Sequence, residues 1–377
     1  MSPLDLLDGR LLDTVRRSRD QMDHQRRLPD AFVDALRNSG VNRFYIPSAL
    51  GGSEARVVDV MDVIERIAAV DGSAGWCAAI GAGSNVFAGY LPKGGAETVF
   101  ADPDQANATM FAPVGRVTKQ HGRATLSGRW PFTSNCLHSA WAGLGAHFET
   151  SQGVDPVPRV VFVQMSELTI EDTWDAVGLR GTGSHHVVAR HVPVDSKRCA
   201  RFSDRPWPDG PLWRLPIYSV LYPTLVAALL GIARGAIDEV ARQARDGRNA
   251  RRGQLTDAPT SMAELALADT RLRAARAGLR EAANSAHLLA ERKKPVDRQL
   301  QAQIFLAGLQ AADASVEATS IAHHLGGGAA AYCGSDLLKA LSDMHTARQH
   351  LLFSHHHLPE LGKIVAGLDV IYPPYVM

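Results

Sequence analysis

The chain has 377 residues, of which 45% are apolar and 21% are charged. This balance is typical of a globular protein, and the length exceeds what a single core usually holds, so about two or three domains are expected. Lys and Arg number 40 against 39 Asp and Glu, which leaves a net charge of +1. No overall field attracts nucleic acid or an anionic membrane, and neither is expected as a partner.

Cysteine usage argues against a disulfide framework or a zinc site, because the cysteines are scattered without a CxxC spacing. The residues after Met1 are acidic and are interrupted by Pro3, unlike a secretory signal, so a cytoplasmic protein is expected. Residues 215–233 carry no charge but include proline and polar residues, which favours a buried bundle helix over a membrane span. The four cysteines are Cys77, Cys136, Cys199 and Cys333.

The first part of the chain, residues 11–70, follows a helical pattern. Phe32 and Leu36 recur at helical spacing after Pro29, and Gly40 is expected to end that helix. A further helix is predicted at 57–70. Its apolar side carries Val58, Met61, Ile64 and Ile67.

Two further parts follow. Between residues 106 and 194, Gly, Thr, Val and aromatic residues alternate with turn signals such as His121-Gly122, which predicts a compact β-barrel or sandwich. After a proline-rich linker at 205–214, alanine-rich faces repeat at helical spacing and predict an antiparallel four-helix bundle. Its helices are predicted at 225–245, 261–291, 297–324 and 336–366. The expected fold is therefore α+β and multidomain: a helical domain at 1–104, a β domain at 105–210 and a bundle at 211–377.

The stretch at 128–146 reads GRWPFTSNCLHSAWAGLGA. Trp130 and Phe132 stand two apart, as on one face of a strand, and Thr133, Ser134 and Asn135 follow directly. One interpretation is a strand, a turn and a second strand, with the aromatic residues in the core. The other is that aromatic faces and hydroxyl donors converge on a flat ligand with polar edges, such as a flavin. The pattern alone leaves both open.

The order of these three parts, together with six sequence motifs spread over the chain, resembles the acyl-CoA dehydrogenase fold. More narrowly, it resembles the flavin-dependent monooxygenases built on that fold, which take reduced flavin from a separate reductase. The motifs are LPDAFVDALRNSGVNRFYIPSALGG, DGSAGW, GRWPFTSNCLHSAWAGLGA, DTWDAVGLRGTGSHHVVARHVPV, LGGGAAAY and SDMHTARQH.

The resemblance implies a cofactor, which is FMNH2 or FADH2, and a homotetramer whose flavin site is completed by a neighbouring subunit. The loop at 178–184 is rich in backbone donors and hydroxyls that suit the edge of a ring, although it could also be a plain hairpin connection. The residues implied to bear on the isoalloxazine are Trp130, Phe132, Thr133, Ser134, Thr182 and Ser184, with Ser134 also catalytic. Those implied to meet the flavin tail of the neighbouring subunit are Leu325, Gly326 and Gly327.

The last helical segment separates two chemistries. The dehydrogenases of this fold have a catalytic Glu roughly two helical turns after an Arg-Asp pair, and Ser342-Asp343 fills that slot here. The expected carboxylate position falls at His350 or Leu351, and no Asp or Glu occurs between Asp343 and Glu360. A dehydrogenase needs a carboxylate to abstract an α-proton. Its absence favours the monooxygenases.

His350 stands where the monooxygenases that this chain resembles carry a histidine near the flavin. An imidazole pKa close to the working pH would let it supply a proton to reduced oxygen or hold a substrate phenol in its reactive form. The implied reaction adds O2 to reduced flavin and passes oxygen from the flavin 4a-hydroperoxide to an aromatic or polycyclic substrate in a dry pocket. A plain core or surface role for His350 stays open.

The remaining histidines do not predict a metal site. The three at 355–357 would point in different directions on a helix, and no Glu or Cys partner has ligand spacing. The pairs at 185–186 and 323–324 are interpreted in the same way.

One departure affects the substrate. Many relatives carry a second active-site histidine in the helix after DGSAGW, where this chain has Ser84 and Asn85, neither of which is a strong base. Since a strong base for deprotonating a phenol is missing there, N-oxygenation of an amine and oxidation of a polycyclic compound with an acidic hydroxyl both stay open. We expect Trp76, Ser84 and Asn85 to contact substrate. Two further functions stay open: an acyl-CoA dehydrogenase-like or nitroalkane-oxidase-like flavoenzyme with Glu360 or Asp343 as base, and a scaffold protein without flavin.

Overall fold

A computed structural model describes residues 9–120, 122–151, 153–247 and 258–370. The chain forms two compact units. The first comprises Met1–Ala55, Cys77–Asp175 and Arg180–Arg214, and the second comprises Arg56–Trp76, Ala176–Leu179 and Leu215–Met377. The division at 104 and 210 stays a prediction. The predicted turn residue His121 and the outer ends of the first and last predicted domains lie outside the described residues.

The described residues form ten α-helices, of which α6 begins earlier than the predicted residue 225. They are α1 (Gly9–Gln25), α2 (Asp30–Ser39), α3 (Val57–Val70), α4 (Gly72–Asn85), α5 (Lys93–Val99), α6 (Ile217–Arg245), α7 (Pro259–Glu291), α8 (Arg298–Leu325), α9 (Asp336–Arg348) and α10 (Leu358–Val365). Helix α2 follows Pro29 and ends at Gly40, whose φ of 77° is the left-handed conformation that glycine adopts without cost. The predicted helix at 57–70 is α3, with its apolar side buried. Helix α4 begins in the second unit and continues into the first.

The first unit contains a mixed β-sheet in the predicted β region. Its strands are β1 (Ala108–Gln120), β2 (Arg123–Trp130), β3 (Trp141–Thr150), β4 (Gly153–Val154), β5 (Arg159–Gln164), β6 (Thr169–Glu171), β7 (His186–Pro193) and β8 (Cys199–Ala200). The order is β6-β7-β2-β1-β3-β5-β8, with β4 on β3. Strands β1 and β3 run parallel, with an irregularity in register between Met110 and Gly115, and the remaining pairs are antiparallel.

Trp130 fills the centre of this sheet's core. Its indole ring is fully buried, and its Nε1–H donates to the carbonyl of Gly145 at 2.8 Å. A Cβ on Gly115 would lie 2.2 Å from this ring, and one on Gly128 would lie 2.7 Å from it. Both glycines therefore make the room that the indole occupies. The sheet core thus uses Trp130 in the way that the first interpretation of residues 128–146 expects.

The predicted linker at 205–214 is packed within the first unit rather than extended from it. The Trp207 Nε1–H donates to the carbonyl of Ala88 at 3.0 Å. The ring of Trp213 lies so close to Gly89 that a Cβ there would be 2.3 Å away. Prolines set the irregular backbone of this segment, while its tryptophans bury it.

The second unit is a helical bundle built around α6, on which α3, α7, α8 and α9 pack. Helix α6 approaches α3 closely, because a Cβ on Gly231 would lie 2.4 Å from the carbonyl oxygen of Glu65 and one on Gly235 would lie 2.3 Å from that of Ala69. Within the described residues, α6 alone is long and apolar enough to cross a membrane, but 89% of its most apolar window is buried in the protein. It is a core helix, as residues 215–233 predict.

The prediction of one helix over 336–366 is wrong. Helix α9 ends at Arg348, and short turns at Leu351–Phe353 and His355–His357 precede α10. The backbone is extended at His350 and at Ser354, where ψ is 135° in both cases. The side chains of these two residues accept the amide N–H two positions further on, from Leu352 and His356. Such local bonds compete with the helical ladder.

Candidate active site

The first unit holds a row of three buried hydroxyls. The Ser134 and Ser184 hydroxyl oxygens are 2.7 Å apart, and those of Ser184 and Thr182 are also 2.7 Å apart. All three side chains are buried. Because each hydroxyl both donates and accepts, the row can align its hydrogen bonds toward a polar group at one end. The structure therefore brings together three of the residues that the sequence predicts to bind cofactor.

The backbone between β2 and β3 shapes this row. Phe132 and Asn135 adopt left-handed conformations, with φ of 58° and 70°. The amide of Thr133 donates to the carbonyl of His185 at 3.0 Å, which joins the turn to the segment that carries Ser184. The Thr133 hydroxyl donates back to the Trp130 carbonyl at 3.2 Å, so it is occupied within its own turn. A left-handed Phe is uncommon and costs free energy, so the surrounding turn must fix it.

Phe132 is the exposed member of an aromatic group in the first unit. Its side chain is 60% exposed. Its ring meets those of Trp174 and His186 edge to face, at centroid distances of 6.3 and 5.8 Å. From the sequence, His186 is considered only as a metal ligand and Trp174 is not singled out, although Trp174 lies in the DTW motif. An exposed aromatic face of this kind suits a flat ring system.

His185 anchors Trp174. Its Nδ1 accepts the amide N–H groups of Thr173 and Trp174, at 3.1 and 3.2 Å, so this nitrogen carries no proton. Burial lowers the pKa of His185, against the opposing effect of Asp172. The ring is therefore a neutral structural acceptor rather than a metal ligand through Nδ1.

Ser84 and Asn85, the predicted substrate contacts in the first unit, are buried in a polar network of their own. The Ser84 hydroxyl donates to the carbonyl of Ile80 at 2.6 Å and lies 2.7 Å from the hydroxyl of Thr109. The Asn85 amide donates to the Asn42 carbonyl at 2.7 Å, and its oxygen accepts from Asn107 at 2.9 Å. Their hydrogen-bonding groups already have protein partners. A contact with substrate stays a prediction.

The second unit brings together two more of the predicted residues, His350 and Trp76. Their ring centroids are 5.8 Å apart at an interplanar angle of 64°. The imidazole also lies 5.9 Å from the ring of Phe353. The His350 Nδ1 accepts the amide N–H of Leu352 at 3.3 Å, so the ring proton is on Nε2.

His350 does not titrate near neutral pH, contrary to the sequence expectation. Burial among aromatic rings lowers its pKa to about 4. At pH 7 the imidazole is therefore neutral and holds one Nε2–H donor. It can donate a hydrogen bond or hold a bound molecule in place, but it is not a reservoir of imidazolium protons.

Both carboxylates that the dehydrogenase alternative offers as the base are paired with lysines. The carboxylate of Asp343 is buried, accepts the Leu179 amide at 2.6 Å and lies 2.9 Å from the ammonium of Lys339. Glu360 is paired with Lys363 at 2.7 Å on α10. Both carboxylates therefore already have charged partners within the second unit.

Leu325, Gly326 and Gly327 lie at the end of α8 in the second unit. Leu325 is buried in an apolar cluster of the bundle, whereas Gly327 is exposed, with φ of 59° and open space around its Cα. A Cβ on Gly326 would lie 2.4 Å from the side chain of Leu337. The two glycines thus form a tight turn at the end of α8, with only Gly327 exposed. Contact with a flavin tail stays a prediction.

The histidines at 355–357 have protein partners. His355 lies 2.9 Å from the Asp313 carboxylate, the rings of His356 and His357 are 3.7 Å apart, and the Nε2 of His357 lies 3.2 Å from the carbonyl of Leu351. In the part of the chain that the structure describes, no three His, Cys, Asp or Glu side chains come together to hold a metal ion.

Both ends of the chain match known protein families. The family model described as acyl-CoA dehydrogenase, N-terminal domain, matches residues 11–99, and that described as acyl-CoA dehydrogenase, C-terminal domain, matches residues 224–355. Indole-3-acetate monooxygenase from Pseudomonas putida is 33% identical over 347 residues, which are 90% of this chain and 88% of that protein.

Two further proteins are similar over nearly the whole chain. The flavin-dependent monooxygenase oxygenase subunit HsaA from Rhodococcus jostii (strain RHA1) is 29% identical over 355 residues, 90% of this chain and 92% of its own. The structure of XiaF from Streptomyces sp. in complex with FADH2 and glycerol has a TM-score of 0.91 at 26% identity. The alignment with XiaF covers 98% of this chain and 97% of that one.

Proposed function

Because the chain belongs to the flavin-dependent monooxygenases built on the acyl-CoA dehydrogenase fold, we propose that it is the oxygenase component of a two-component system. It takes reduced flavin from a separate NAD(P)H:flavin reductase and uses O2 to hydroxylate an aromatic or polycyclic small molecule. The similarity to an enzyme named for an indole acid supports an aromatic substrate. The name oxygenase subunit in a relative supports the separate partner. We further propose a cytoplasmic homotetramer.

The residues present fit a flavin. The hydroxyl row offers donors and acceptors at 2.7 Å spacing for the polar edge of a ring, and exposed Phe132 offers an aromatic face. Reduced flavin, when bound, supplies the electrons that activate O2. We assign Ser134 to a hydrogen bond with the ring edge and Thr182 and Ser184 to its orientation.

The remaining residues that are predicted to bind the cofactor are assigned supporting roles. Trp130 is assigned to holding the end of β2 from inside the core, since its ring is fully buried. Thr133 is assigned to fixing the turn through its bond to the Trp130 carbonyl. Leu325, Gly326 and Gly327 are assigned to the flavin tail of a neighbouring subunit.

His350 is assigned to the oxygen-transfer step through its Nε2–H. A neutral imidazole donates a hydrogen bond without bringing a charge into a dry site, and it orients what it binds. Trp76 packs against this imidazole and gives an apolar aromatic wall beside it, which suits an aromatic substrate. The observation that carries the proposal is this His350–Trp76 pair in a chain that lacks the dehydrogenase carboxylate.

The test compares His350→Ala with the wild type, using reduced flavin and an electron-rich aromatic substrate in air. We expect product formed per flavin oxidised to fall by at least about tenfold, because the loss of a positioned donor slows transfer relative to decay. Released hydrogen peroxide should rise in proportion. His345→Ala, at an exposed position of α9, is the matched control.

An unchanged ratio of product to peroxide in His350→Ala would remove His350 from the chemistry. The dehydrogenase alternative has its own readout. Under anaerobic conditions, an acyl-CoA should leave bound oxidised flavin unreduced, since Asp343 and Glu360 are paired with lysines.

A further inference from the structure

A buried group of three charges lies in the second unit, where α9 meets the start of α4. The ammonium of Lys339 is 2.9 Å from the Asp343 carboxylate and 3.2 Å from that of Asp71. Both carboxylate side chains are at most 3% exposed, and the Lys339 side chain is 14% exposed. Burying ions costs free energy that pairing only partly offsets, so such a group is weak support for stability alone.

Each carboxylate also binds backbone. Asp71 accepts the amide N–H of Ala74 at 3.0 Å and thereby caps the first turn of α4. Asp343 accepts the amide N–H of Leu179 at 2.6 Å, and Leu179 has a φ of 49°. Lys339 links the two carboxylates. The charged group therefore joins three pieces of chain: the start of α4, the short segment that ends at Leu179 and helix α9.

Two glycines allow these pieces to meet. A Cβ on Gly72 would lie 2.6 Å from the Asp343 carboxylate oxygen. A Cβ on Gly178 would lie 2.0 Å from the carbonyl oxygen of Ser342. Any side chain at either position would push α9 away from its partners. The backbone at this junction is therefore built for the close approach that the three charges hold.

The His350–Trp76 pair lies close to the same elements. Trp76 follows Gly72 by one turn of α4, and His350 lies two residues beyond Arg348, where α9 ends. The contact between the His350 and Trp76 rings, at 5.8 Å, is thus a second link between α4 and the chain around α9, beside the one that the charges make. The spacing of the rings therefore depends on the relative positions of α4 and α9, which the charged group links.

We propose that Lys339, Asp71 and Asp343 are positioning residues that hold the His350 imidazole against Trp76 in one orientation. This proposal rests on the proposed function of His350. In this proposal the charges act on the rings through α4 and α9. Hydrophobic residues can stabilise a bundle as well as buried ions do, so the role proposed for the charges is to fix the helices at one distance and angle.

Asp343→Asn tests the proposal with little change in shape. The Leu179 amide binds Oδ1 of Asp343 and Lys339 binds Oδ2. In Asp343→Asn one of these two oxygens becomes an NH2 group, which cannot accept, so one contact is lost. Lys339→Met removes the link itself. The matched controls are Lys363→Met on α10 and Asp238→Asn on α6, since both residues belong to exposed ion pairs of the same unit.

The readout is the pH titration of the His350 imidazole, followed by NMR on histidine-labelled protein without flavin and assigned by its loss in His350→Gln. We expect the His350 pKa to rise by about one unit toward the ordinary value in both test variants, because a looser ring admits water. With flavin and substrate, product per flavin oxidised should fall roughly tenfold. The controls should titrate like the wild type.

A His350 titration that is unmoved in folded Asp343→Asn and Lys339→Met overturns the proposal. Circular dichroism identifies which variants fold, and if Lys339→Met does not fold, Asp343→Asn decides alone. The titration needs no cofactor, so it is independent of the His350→Ala result. Loss of the catalytic assignment would leave the positioning measurement valid, and an unmoved titration would leave the catalytic assignment standing.

Discussion

At the scale of single residues, the Ser134 hydroxyl has a partner within the protein and is assigned a second one on the flavin. In Ser134→Ala, Ser184 keeps its bond to Thr182 but loses the one at 2.7 Å to residue 134. We expect affinity for reduced flavin to fall about tenfold, the effect of losing one buried hydrogen bond. Anaerobic titration calorimetry measures it. Ser166→Ala, at an exposed position of the same unit, should bind like the wild type.

The second residue-scale prediction concerns His350 and acid stability. Its pKa in the folded protein is about 4, against an ordinary value of 6.5. The unfolded chain therefore takes up a proton first as pH falls through 6.5, and stability is lost progressively down to about pH 4. The loss of unfolding free energy between pH 7 and pH 5 should be smaller in His350→Gln by up to about 2 kcal/mol. Urea unfolding at the two pH values measures it, and equal losses in both proteins would show that the ring is not held in its neutral form.

Some residue assignments were accessible from the sequence and others were not. The resemblance implies Ser134, Thr182 and Ser184, and the structure brings their side chains together, while their contact with flavin stays a prediction. The shifted pKa of His350 could not be predicted, because burial is a property of packing rather than of sequence spacing. The sequence does not indicate a role for Lys339, because a lysine on a helix is usually solvated. Only the fold shows that both of its carboxylate partners are buried.

At the scale of elements, helix contacts depend on particular glycines. Gly231→Ala should destabilise the second unit by about 1–3 kcal/mol, because its Cβ would lie 2.4 Å from the carbonyl oxygen of Glu65 on α3. Gly278→Ala on α7 has nothing within 4 Å of its Cβ and should stabilise by up to ~1 kcal/mol through helix propensity alone. Thermal unfolding of both variants separates the effects. A stabilising Gly231→Ala would mean that α3 and α6 are not in close contact.

Element boundaries were predictable where a local signal acts. Pro29 and Gly40 bound α2, and the apolar stripe of α3 marks its full length. The break after Arg348 was missed, because it depends on side chains of His350 and Ser354 that accept nearby amides, and neither residue type is a helix breaker by itself. The same break places His350 in a turn rather than on a helix face. A periodic pattern cannot reveal that difference.

At the scale of the whole molecule, the order of helical, β and bundle parts carries more information than any one motif. The motifs at 128–146 and 342–350 would each be weak evidence for a family alone, but their order along the chain matches one family. The pairing of β1 with β3 in parallel was not predictable, since it joins strands that are not consecutive and depends on the fold as a whole. Neither a substrate nor an assembly follows from chain order. Those must be tested on the assembled protein.

The proposed tetramer has a test at the exposed turn after α8. Gly327 has a φ of 59° and open space around it, so Asn, which tolerates this conformation, should fit within its own subunit. If a neighbouring subunit's flavin tail lies there, Gly327→Asn should weaken flavin binding about tenfold without lowering thermal stability. Gly122→Asn is the matched control, because Gly122 has a φ of 80° and nothing within 4 Å of its Cβ.

Dilution tests the same assignment without a mutation. When a ligand is held by two subunits, its binding and the assembly of those subunits are linked, so flavin affinity should fall as protein concentration drops. Sedimentation should correspondingly show a larger mass with flavin than without it at the same dilution. Affinity that is independent of protein concentration, together with wild-type binding in Gly327→Asn, would locate the whole flavin site within one chain.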